Sequence, residues 1–484
     1  MPNRFAYDGV VVGAGPNGLA AAIRLAAEGL SVLVAEGRET VGGGTRSTEL
    51  TLPGFVHDVC SAVHPFAVAS PFFRRLPLAH YGLAWVEPEW PLAHPLDDGR
   101  AVVLARSVAQ TAAGLGGDQE AYQRLMSPLV AHWENLVDDL LRPVVRFPRH
   151  PATLAQFGLL GMRSAESLAR KWFREEPARA LFAGLAAHSF LPLKQSPSAA
   201  FGLVLAVLGH AVGWPFARGG SQQIAQALAA HLRALGGEIA TGFQVAAMDE
   251  LPIGRAVVLD LTPRQLLKVA GPELPDSYRA RLARFRYGPG VFKVDYALDW
   301  PIPWKNAACA RAGTVHLGGS MAEIAAAEAE VSAGHPPERP FVILAQPGLF
   351  DATRAPEGCS TAWAYCHVPN GSTGDMTERI ERQIERFAPG FRDRILARHT
   401  LNCAQMESEN PNLVGGDISG GAMDWRQLVA RPILSPSPYR IPVPGLYLGS
   451  ASTPPGGGVH GMCGFHAAET ALRDLRPRPK GGRG

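Results

Sequence analysis

The chain has few cysteines, a small net charge and no long apolar run. Its 484 residues include only 6 cysteines and no CxxC pair, which excludes a disulfide framework and predicts a reduced, intracellular protein. Lys plus Arg (46) nearly balance Asp plus Glu (43), so the net charge is +3, and a protein that coats nucleic acid is excluded. The N-terminus lacks the apolar core and cleavage site of a signal peptide, and we expect a cytoplasmic protein.

The longest apolar stretch, 199–214, is too short to cross a bilayer as a helix, which takes about 20 residues. A buried helix is the simplest interpretation, and a hydrophobic tunnel or a membrane-dipping segment is the alternative. A peripheral membrane contact would rely on apolar surface, because a net charge of +3 attracts lipid headgroups only weakly.

Glycine and proline, in contrast, are abundant, with 53 and 41 residues. No collagen period or low-complexity run contains them, so we place them in turns and close backbone approaches. The length exceeds that of one ordinary core and predicts two domains, with three as the alternative.

An α/β pattern appears at the start, in the middle and at the end of the chain. The first 50 residues form a βαβ unit, and the same character returns as a helix at 221–235, an extended segment at 238–248, a strand at 256–260, a strand at 445–450 and a helix at 461–475. Because other segments interrupt this pattern, the two domains are predicted to be interleaved.

The interrupting segments predict a helical region and a second sheet. The helical region spans 107–211, with helices at 119–141, 151–161 and 176–187. The second sheet has strands at 291–298, 341–346 and 361–367, followed by an amphipathic surface helix at 377–387. The tail 476–484 contains only Pro, Gly, Arg and Lys and is predicted to be disordered.

The fold class is therefore α/β, with a Rossmann-type dinucleotide-binding domain interleaved with a substrate domain of mixed sheet and helical lid. The first domain is predicted at 1–95, 214–265 and 435–475, and the second at 96–213 and 266–434.

A GxGxxG motif gives the first chemical signal. Gly13, Gly15 and Gly18 follow a strand and open a helix, and Glu36 ends the next strand. The glycines permit a tight turn, a close pyrophosphate and close helix packing, while the helix N-terminus offers N–H groups to the anion. The Glu36 carboxylate can accept bonds from ribose hydroxyls and would repel a 2′-phosphate, so FAD or NAD fits better than NADP.

Three further segments resemble FAD-binding proteins of the phytoene desaturase-like class of the amine oxidase superfamily. The first is the glycine run at 42–44 with Thr45 and Arg46, although the usual pattern places Arg directly after two glycines. The second is 443–462, whose glycine-rich loop leads into a helix, and the third is 214–221 with the segment around Val245. The stretch 409–432 resembles the branch typified by pyridine nucleotide-disulphide oxidoreductase domain protein 2.

The resemblance implies FAD as the cofactor and a set of residues that contact it. The glycine-rich loop before the last helix would lie at the flavin, and Val245 would bond adenine through its backbone. The implied cofactor-binding residues are Gly13, Gly15, Pro16, Asn17, Gly18, Glu36, Gly37, Arg38, Gly43, Gly44, Thr45, Arg46, Val245, Gly449, Ser450, Gly458, His460, Gly461 and Met462. A second dinucleotide site at Gly456, Gly458 and Gly461 is the alternative, but no second βαβ unit follows it.

Two histidines are the candidates for proton transfer. His460 lies in the loop expected at the flavin, and His64 follows a segment that leads towards the flavin in relatives; a hydrogen-bonded structural role is the alternative for both. His460, Cys463 and His466 do not predict a metal site, since on one helix the two histidines diverge by about 120°. Cys60 has no neighbouring cysteine, which argues against redox disulfide chemistry.

The resemblance implies an oxidoreductase that transfers hydride between flavin N5 and a hydrophobic, conjugated alkene, as a desaturase, saturase or isomerase of carotenoid or retinoid type. The expected partner is thus a small hydrophobic substrate. One alternative is an amine-oxidase-like enzyme, which would need an aromatic cage from residues such as Trp363, Tyr365 and Tyr439. The other is a flavin-binding scaffold without turnover.

Overall fold

A computed structural model describes residues 6–143, 145–252 and 254–476. The tail predicted to be disordered, 476–484, lies outside these residues except for Arg476, which caps the helix 462–475. None of the helices in the described ranges is both long enough and apolar enough to span a membrane.

The strands of the described chain are short, apart from β11 and β14. In chain order they are β1 (Tyr7–Val12), β2 (Val32–Ala35), β3 (Ser47–Glu49), β4 (Val56–Asp58), β5 (Trp85–Val86), β6 (Trp90–Pro95), β7 (Ala101–Leu104), β8 (Phe216–Ala217), β9 (Glu238–Ala240), β10 (Gly254–Leu259), β11 (Gly290–Leu298), β12 (Ala312–Leu317), β13 (Val342–Ala345), β14 (Ser360–Val368), β15 (Ile395–Leu401) and β16 (Leu446–Leu448).

The helices are concentrated between β7 and β8. They are α1 (Pro16–Ala26), α2 (Pro65–Ala69), α3 (Val108–Ala113), α4 (Gln119–Ala131), α5 (Trp133–Leu140), α6 (Pro151–Gly161), α7 (Ala165–Trp172), α8 (Glu176–Ala187), α9 (Ser198–Ala211), α10 (Gln222–Ala234), α11 (Pro263–Ala270), α12 (Asp276–Leu282), α13 (Ala307–Ala310), α14 (Met321–Ser332), α15 (Thr377–Phe387), α16 (Cys403–Glu409), α17 (Trp425–Val429) and α18 (Met462–Leu475).

A five-stranded parallel sheet unites three distant parts of the chain. Its order is β16-β10-β1-β2-β9, with Val10 opposite Leu33 on one side and Val257 on the other. The central strands are rich in buried valine because helices cover both faces, as parallel sheets require. Helix α1 packs against α10 and α18, so the last helix of the chain closes on the first. This is the α/β, Rossmann-like arrangement that the sequence predicts.

The second sheet has seven strands in the order β15-β11-β14-β13-β12-β6-β7. Only β12 and β6 are parallel neighbours, so the sheet is mixed. One face packs Val294, Val315 and Ala364 against the apolar side of α15, which occupies the predicted residues. The other face turns towards α8 and α9. Strand β6 lies inside the first predicted domain piece yet pairs in this sheet, and the domain bounds remain a prediction.

The predicted bounds of two elements, the helix at 119–141 and the extended segment at 238–248, are wrong. The segment 119–141 is two helices, because α4 ends in a tightened turn where the His132 N–H bonds the carbonyl of Leu129. Pro128 in that last turn lacks an N–H and weakens it. The extended segment 238–248 is a strand only at β9. Gly242, with φ of +67°, turns the chain across the end of β2, where Phe243 N–H bonds the Glu36 carbonyl.

Candidate functional site

A cavity of about 760 Å³ runs from the glycine-rich turn after β1 to the inner face of the second sheet. Its wall near the parallel sheet is formed by the turn after β1, the end of β2 and the loop after β16. Its wall near the second sheet is formed by the segment after α8, by α9 and by strands β12, β13 and β14. Both predicted domains therefore contribute to one continuous space.

The GxGxxG turn has no room for larger residues. Gly13 has φ of +98°, and a Cβ there would lie 3.2 Å from the Cβ of Asp260. A Cβ at Gly18 would overlap the Gly13 carbonyl. Pro16 occupies the first turn of α1, where a missing N–H costs nothing, and Gly15 offers no side-chain cap to the N–H groups of that turn. The helix therefore presents its N-terminus to the cavity, as pyrophosphate binding needs.

Asn17 adds a polar group to this turn. Its Oδ1 is buried and, among the residues that the structure describes, has no hydrogen-bond partner. A buried polar atom without a partner is costly, and a ligand in the cavity can satisfy it. This favours a polar ligand at the turn.

Glu36 ends β2 at the cavity. Its carboxylate accepts the Ala14 N–H at 2.7 Å and the Arg38 N–H at 2.9 Å. Each oxygen has a second lone pair, so ribose hydroxyls can still bind. Gly37 also lies on the wall, and a Cβ there would lie 2.5 Å from the Gln244 side chain.

The second glycine run lies directly on the first. A Cβ at Gly43 would lie 3.1 Å from the Cα of Gly15, so the two loops pack backbone to backbone. Gly44 and Thr45 also line the cavity, and the Thr45 hydroxyl donates to the Gly42 carbonyl at 2.8 Å.

Arg38 and Arg46 hold the segment at 408–409 over the cavity. Both guanidinium groups donate to the Glu409 carbonyl, at 2.7 Å and 2.8 Å. Arg46 also pairs with the Glu409 carboxylate at 3.1 Å. The two arginines therefore line the cavity and anchor a distant loop at the same time.

Of the remaining predicted cofactor residues, Val245, Ser450, Gly458 and His460 line the cavity. Gly18, Gly449, Gly461 and Met462 do not appear on its wall. Gly449 and Gly461 are packing positions instead, since added Cβ atoms would lie 3.1 Å from Ala467 and 2.5 Å from the Phe73 ring. A direct contact of these four with a cofactor remains a prediction.

His460 is fixed by two hydrogen bonds. Its Nδ1 accepts the Met462 N–H at 3.0 Å at the start of α18, and its carbonyl accepts the Ser70 hydroxyl at 2.7 Å. Burial lowers the pKa of His460 to about 4. The ring is therefore neutral at pH 7, with its proton on Nε2.

His64 also lines the cavity in a fixed tautomer. The Ser221 hydroxyl donates to the Ser61 carbonyl at 2.6 Å, so His64 Nε2, at 2.7 Å from the same hydroxyl oxygen, must be the donor. Burial lowers the pKa of His64 to about 4. The geometry fits the hydrogen-bonded structural alternative better than proton transfer, and catalysis by either histidine remains a prediction.

Asp260 is a site residue that the sequence analysis missed. It follows β10 at the same sheet edge as the glycine turn, and its carboxylate accepts the Gly18 N–H at 3.0 Å. Burial, reinforced by the nearby Glu36 charge, raises the pKa of Asp260 to about 7. An acidic residue at the end of a third parallel strand is the signal that could have identified it.

A buried ion pair on β11 was also not predicted from the sequence. On β11, Lys293 binds the Asp295 carboxylate, and His57 and His399 lie 3.8 Å and 3.7 Å from it. The Lys293 ammonium lies 5.9 Å from the ring centre of Trp363 on the cavity wall. Alternation places Lys293 and Asp295 on the cavity side of their strand.

The proposed aromatic residues do not converge as a set of three. Trp363 and Tyr365 line the cavity with ring centres 5.0 Å apart and planes at 71°. Tyr439 lies elsewhere, and its hydroxyl donates to the Pro454 carbonyl at 2.9 Å.

The six cysteines are all free. Cys60 lines the cavity, and burial raises the pKa of its thiol to about 11. A neutral thiol is a weak nucleophile, so Cys60 is not activated in this structure.

The sequence is related to curated proteins over nearly its whole length. The family described as the NAD(P)-binding Rossmann-like domain matches residues 11–76. Pyridine nucleotide-disulfide oxidoreductase domain-containing protein 2 of Rattus norvegicus is 28% identical, over 97% of this chain and 94% of the relative. A neurosporene-forming phytoene desaturase of Rhodobacter capsulatus is 25% identical, over 97% and 94%. The chain is homologous to both proteins.

Solved structures show the same fold at lower identity. An oxidoreductase from Methanosarcina mazei matches with a TM-score of 0.65 at 16% identity, over 96% of this chain and 99% of that one. Putrescine oxidase bound to putrescine matches with a TM-score of 0.63 at 18% identity, over 96% and 98%. The homology thus supports an oxidoreductase, and the fold is shared with amine oxidases.

Proposed function

We propose that this protein is an FAD-dependent oxidoreductase that transfers hydride between flavin N5 and a hydrophobic, conjugated alkene. The observation that carries the proposal is the single cavity that joins a dinucleotide-binding turn to an apolar chamber. FAD, when bound, would accept or donate the hydride, and the protein would supply orientation and a dry surrounding.

The cavity wall fits FAD. The turn at Gly13–Gly15 and the N-terminus of α1 would hold the pyrophosphate, Glu36 the ribose, and Val245 the adenine through its backbone. Ser450, Gly458 and His460 would lie at the flavin. The neutral His460 ring keeps its Nε2 proton, so it would act there as a donor.

The other end of the cavity fits an apolar substrate. Its wall is formed mainly by aliphatic and aromatic side chains, namely Phe157, Phe190, Phe201, Val204, Leu205, Trp214 and Ile343. Four of these lie on or directly after α9, within the stretch 199–214. The apolar stretch is thus a helix that forms a chamber wall, which combines the buried-helix and tunnel interpretations.

An amine oxidase is the second candidate, because Trp363 and Tyr365 form an aromatic pair on the wall. A buried ammonium ion would also need a carboxylate. Among the described lining residues, the carboxylates are Glu36, Asp260 and Glu409, all at the dinucleotide end. This distribution favours the alkene.

Anaerobic mixing distinguishes the candidates. FAD-loaded protein would be mixed with hydrophobic conjugated alkenes and, separately, with primary amines, and the flavin absorbance followed. Bleaching of the flavin by alkenes supports the proposal in the desaturase direction. Reoxidation of dithionite-reduced flavin by alkenes supports it in the saturase direction. Bleaching by amines alone supports the amine oxidase. Stable flavin with neither class contradicts the proposal and favours a scaffold.

We also propose a peripheral membrane contact through the helical region. Phe147 and Leu159 are 86% and 77% exposed, and Met162 on the same region is 58% exposed. Arg146 and Arg149 are close to Phe147 in sequence, and together with Arg142 they line one small pocket. Apolar side chains next to cations suit an anionic lipid surface.

A further inference from the structure

The cavity side of the second sheet carries an unusual number of polar side chains. His94 on β6, Thr314 and His316 on β12, and Thr361 and His367 on β14 all lie on this face by strand alternation. All five are buried. The opposite face is apolar, so the polar groups belong to the side that faces the cavity.

His188, at the end of α8, connects this polar face to the cavity. Its Nε2 lies 3.0 Å from Nε2 of His316, and the His188 ring lines the cavity. Within the described residues this is the only hydrogen bond of the His188 side chain, so Nδ1 is available to a ligand.

The histidine pair is built into the fold. Gly184 on α8 lets the helix approach β6 and β12, since a Cβ there would lie 2.7 Å from Nδ1 of His316 and 3.3 Å from Nδ1 of His94. His94 Nε2 donates to the Gly319 carbonyl at 2.7 Å. A row of imidazoles thus leads from the cavity into the protein.

These imidazoles are uncharged. Burial lowers the pKa of His188 to about 3 and holds that of His316 well below its usual value. A neutral imidazole donates one hydrogen bond and accepts another, and its tautomer decides which nitrogen is the donor. It offers no charge to balance a carboxylate or a phosphate.

Thr314 supplies a second polar atom on the same cavity, from the strand that carries His316. It lines the cavity two residues before His316, and its hydroxyl is buried with no partner among the described residues. Around both groups the wall is apolar, with the Trp214 ring 5.9 Å from that of His188 at 78°. A purely hydrocarbon substrate would leave these polar atoms unsatisfied, which is costly in a buried site.

We propose that His188 and Thr314 bind a hydroxyl or carbonyl oxygen on an otherwise apolar substrate. This inference rests on the proposed function, because it concerns the same chamber. It narrows the substrate class from hydrophobic alkenes in general to alkenes with one uncharged oxygen group.

Four probes with one 15-carbon isoprenoid chain test the proposal: farnesene, farnesol, farnesal and farnesoate. Their dissociation constants for the FAD-loaded protein would be measured by the change in flavin absorbance or fluorescence. We expect farnesol or farnesal to bind about 10-fold more tightly than farnesene and farnesoate, the effect of one good hydrogen bond.

Two substitutions then test whether His188 and Thr314 cause the preference for oxygenated probes. His188→Phe keeps an aromatic ring and Thr314→Val keeps the side-chain shape, but both remove the polar atoms. We expect the preference for the oxygenated probes to fall to about twofold or less. Leu205→Ile is the matched control, because it changes only the shape of the apolar wall and should affect all four probes alike. FAD content and thermal melting would confirm that each variant is folded.

Equal binding of farnesene and farnesol by the wild type would overturn the proposal, as would tightest binding of farnesoate or an undiminished preference in both variants. Failure of all four probes to bind would also contradict it, because the apolar wall should accept their shared chain. Binding is measured without turnover, so this test is independent of the proposed redox reaction. The oxygen preference can be absent while the alkene is still oxidised or reduced, and it can be present while no redox reaction occurs.

Discussion

Asp260 places an acid where the pyrophosphate of a dinucleotide would lie. Its pKa, which burial raises to about 7, means that about half of the carboxyl groups are still protonated at neutral pH. A neutral carboxyl can remain beside a pyrophosphate, whereas a carboxylate would repel it. We therefore expect both the stability of the ligand-free protein and its affinity for a dinucleotide to depend on pH.

Asp260→Asn should remove part of the pH dependence of stability. Because the pKa of Asp260 is raised in the folded protein, its contribution to the free energy of unfolding is fully present below the unfolded pKa near 3.8. This contribution is lost as the pH rises through the folded pKa of about 7. Urea unfolding of FAD-free protein would measure the free energy of unfolding at pH 5 and at pH 8. Between these pH values the wild type should lose about 2 kcal/mol more of this free energy than the variant, since a tenfold change in proton affinity is worth about 1.4 kcal/mol. The same loss in both proteins would refute this role.

Gly18→Ala should destabilise the dinucleotide turn. The added methyl group would overlap the Gly13 carbonyl, and we expect a loss of about 1–3 kcal/mol and of bound FAD. Gly158→Ala on α6 is the matched control, because a Cβ there meets nothing within 4 Å. Thermal melting and the flavin-to-protein absorbance ratio measure both effects, and equal behaviour of the two variants would contradict the expected packing.

At the level of elements, helices whose ends have local signals were predictable. The sequence predicts α6, α8 and α15 at their observed bounds, because proline lies in the first turn of the first two and charge patterning marks the third. It fails at 119–141 and 238–248, where a tightened turn and Gly242 redirect the chain. The polar face of the second sheet was not predictable, because His94, Thr314 and His188 come together only through tertiary packing.

The loop before α6 and α6 itself should bind anionic membranes. Phe147→Asp combined with Leu159→Asp should reduce sedimentation with vesicles of phosphatidylserine and phosphatidylcholine by severalfold, since each change removes exposed apolar surface and adds repulsion. Trp300→Asp is the control, because Trp300 is 60% exposed on another part of the protein. Equal sedimentation of all proteins would contradict the membrane contact.

At the level of the whole molecule, the interleaved arrangement was predictable but the path of the cavity was not. The glycine motifs and Glu36 identify a dinucleotide site from sequence alone, because each residue type has a local physical reason. The connection of that site to α9 and the second sheet depends on contacts between distant segments. Arg38 and Arg46 illustrate this, since their partner Glu409 is remote in sequence.

The central claim is that one continuous cavity brings an apolar substrate to bound FAD. The most direct measurement is the anaerobic rate of flavin reduction by a hydrophobic conjugated alkene in the wild type and in Val204→Trp, which fills the chamber on α9. The account predicts unchanged FAD content and a rate at least about 10-fold lower in the variant, because the alkene is excluded from the flavin. Equal rates in the two proteins, or a wild type that only amines reduce, would contradict it.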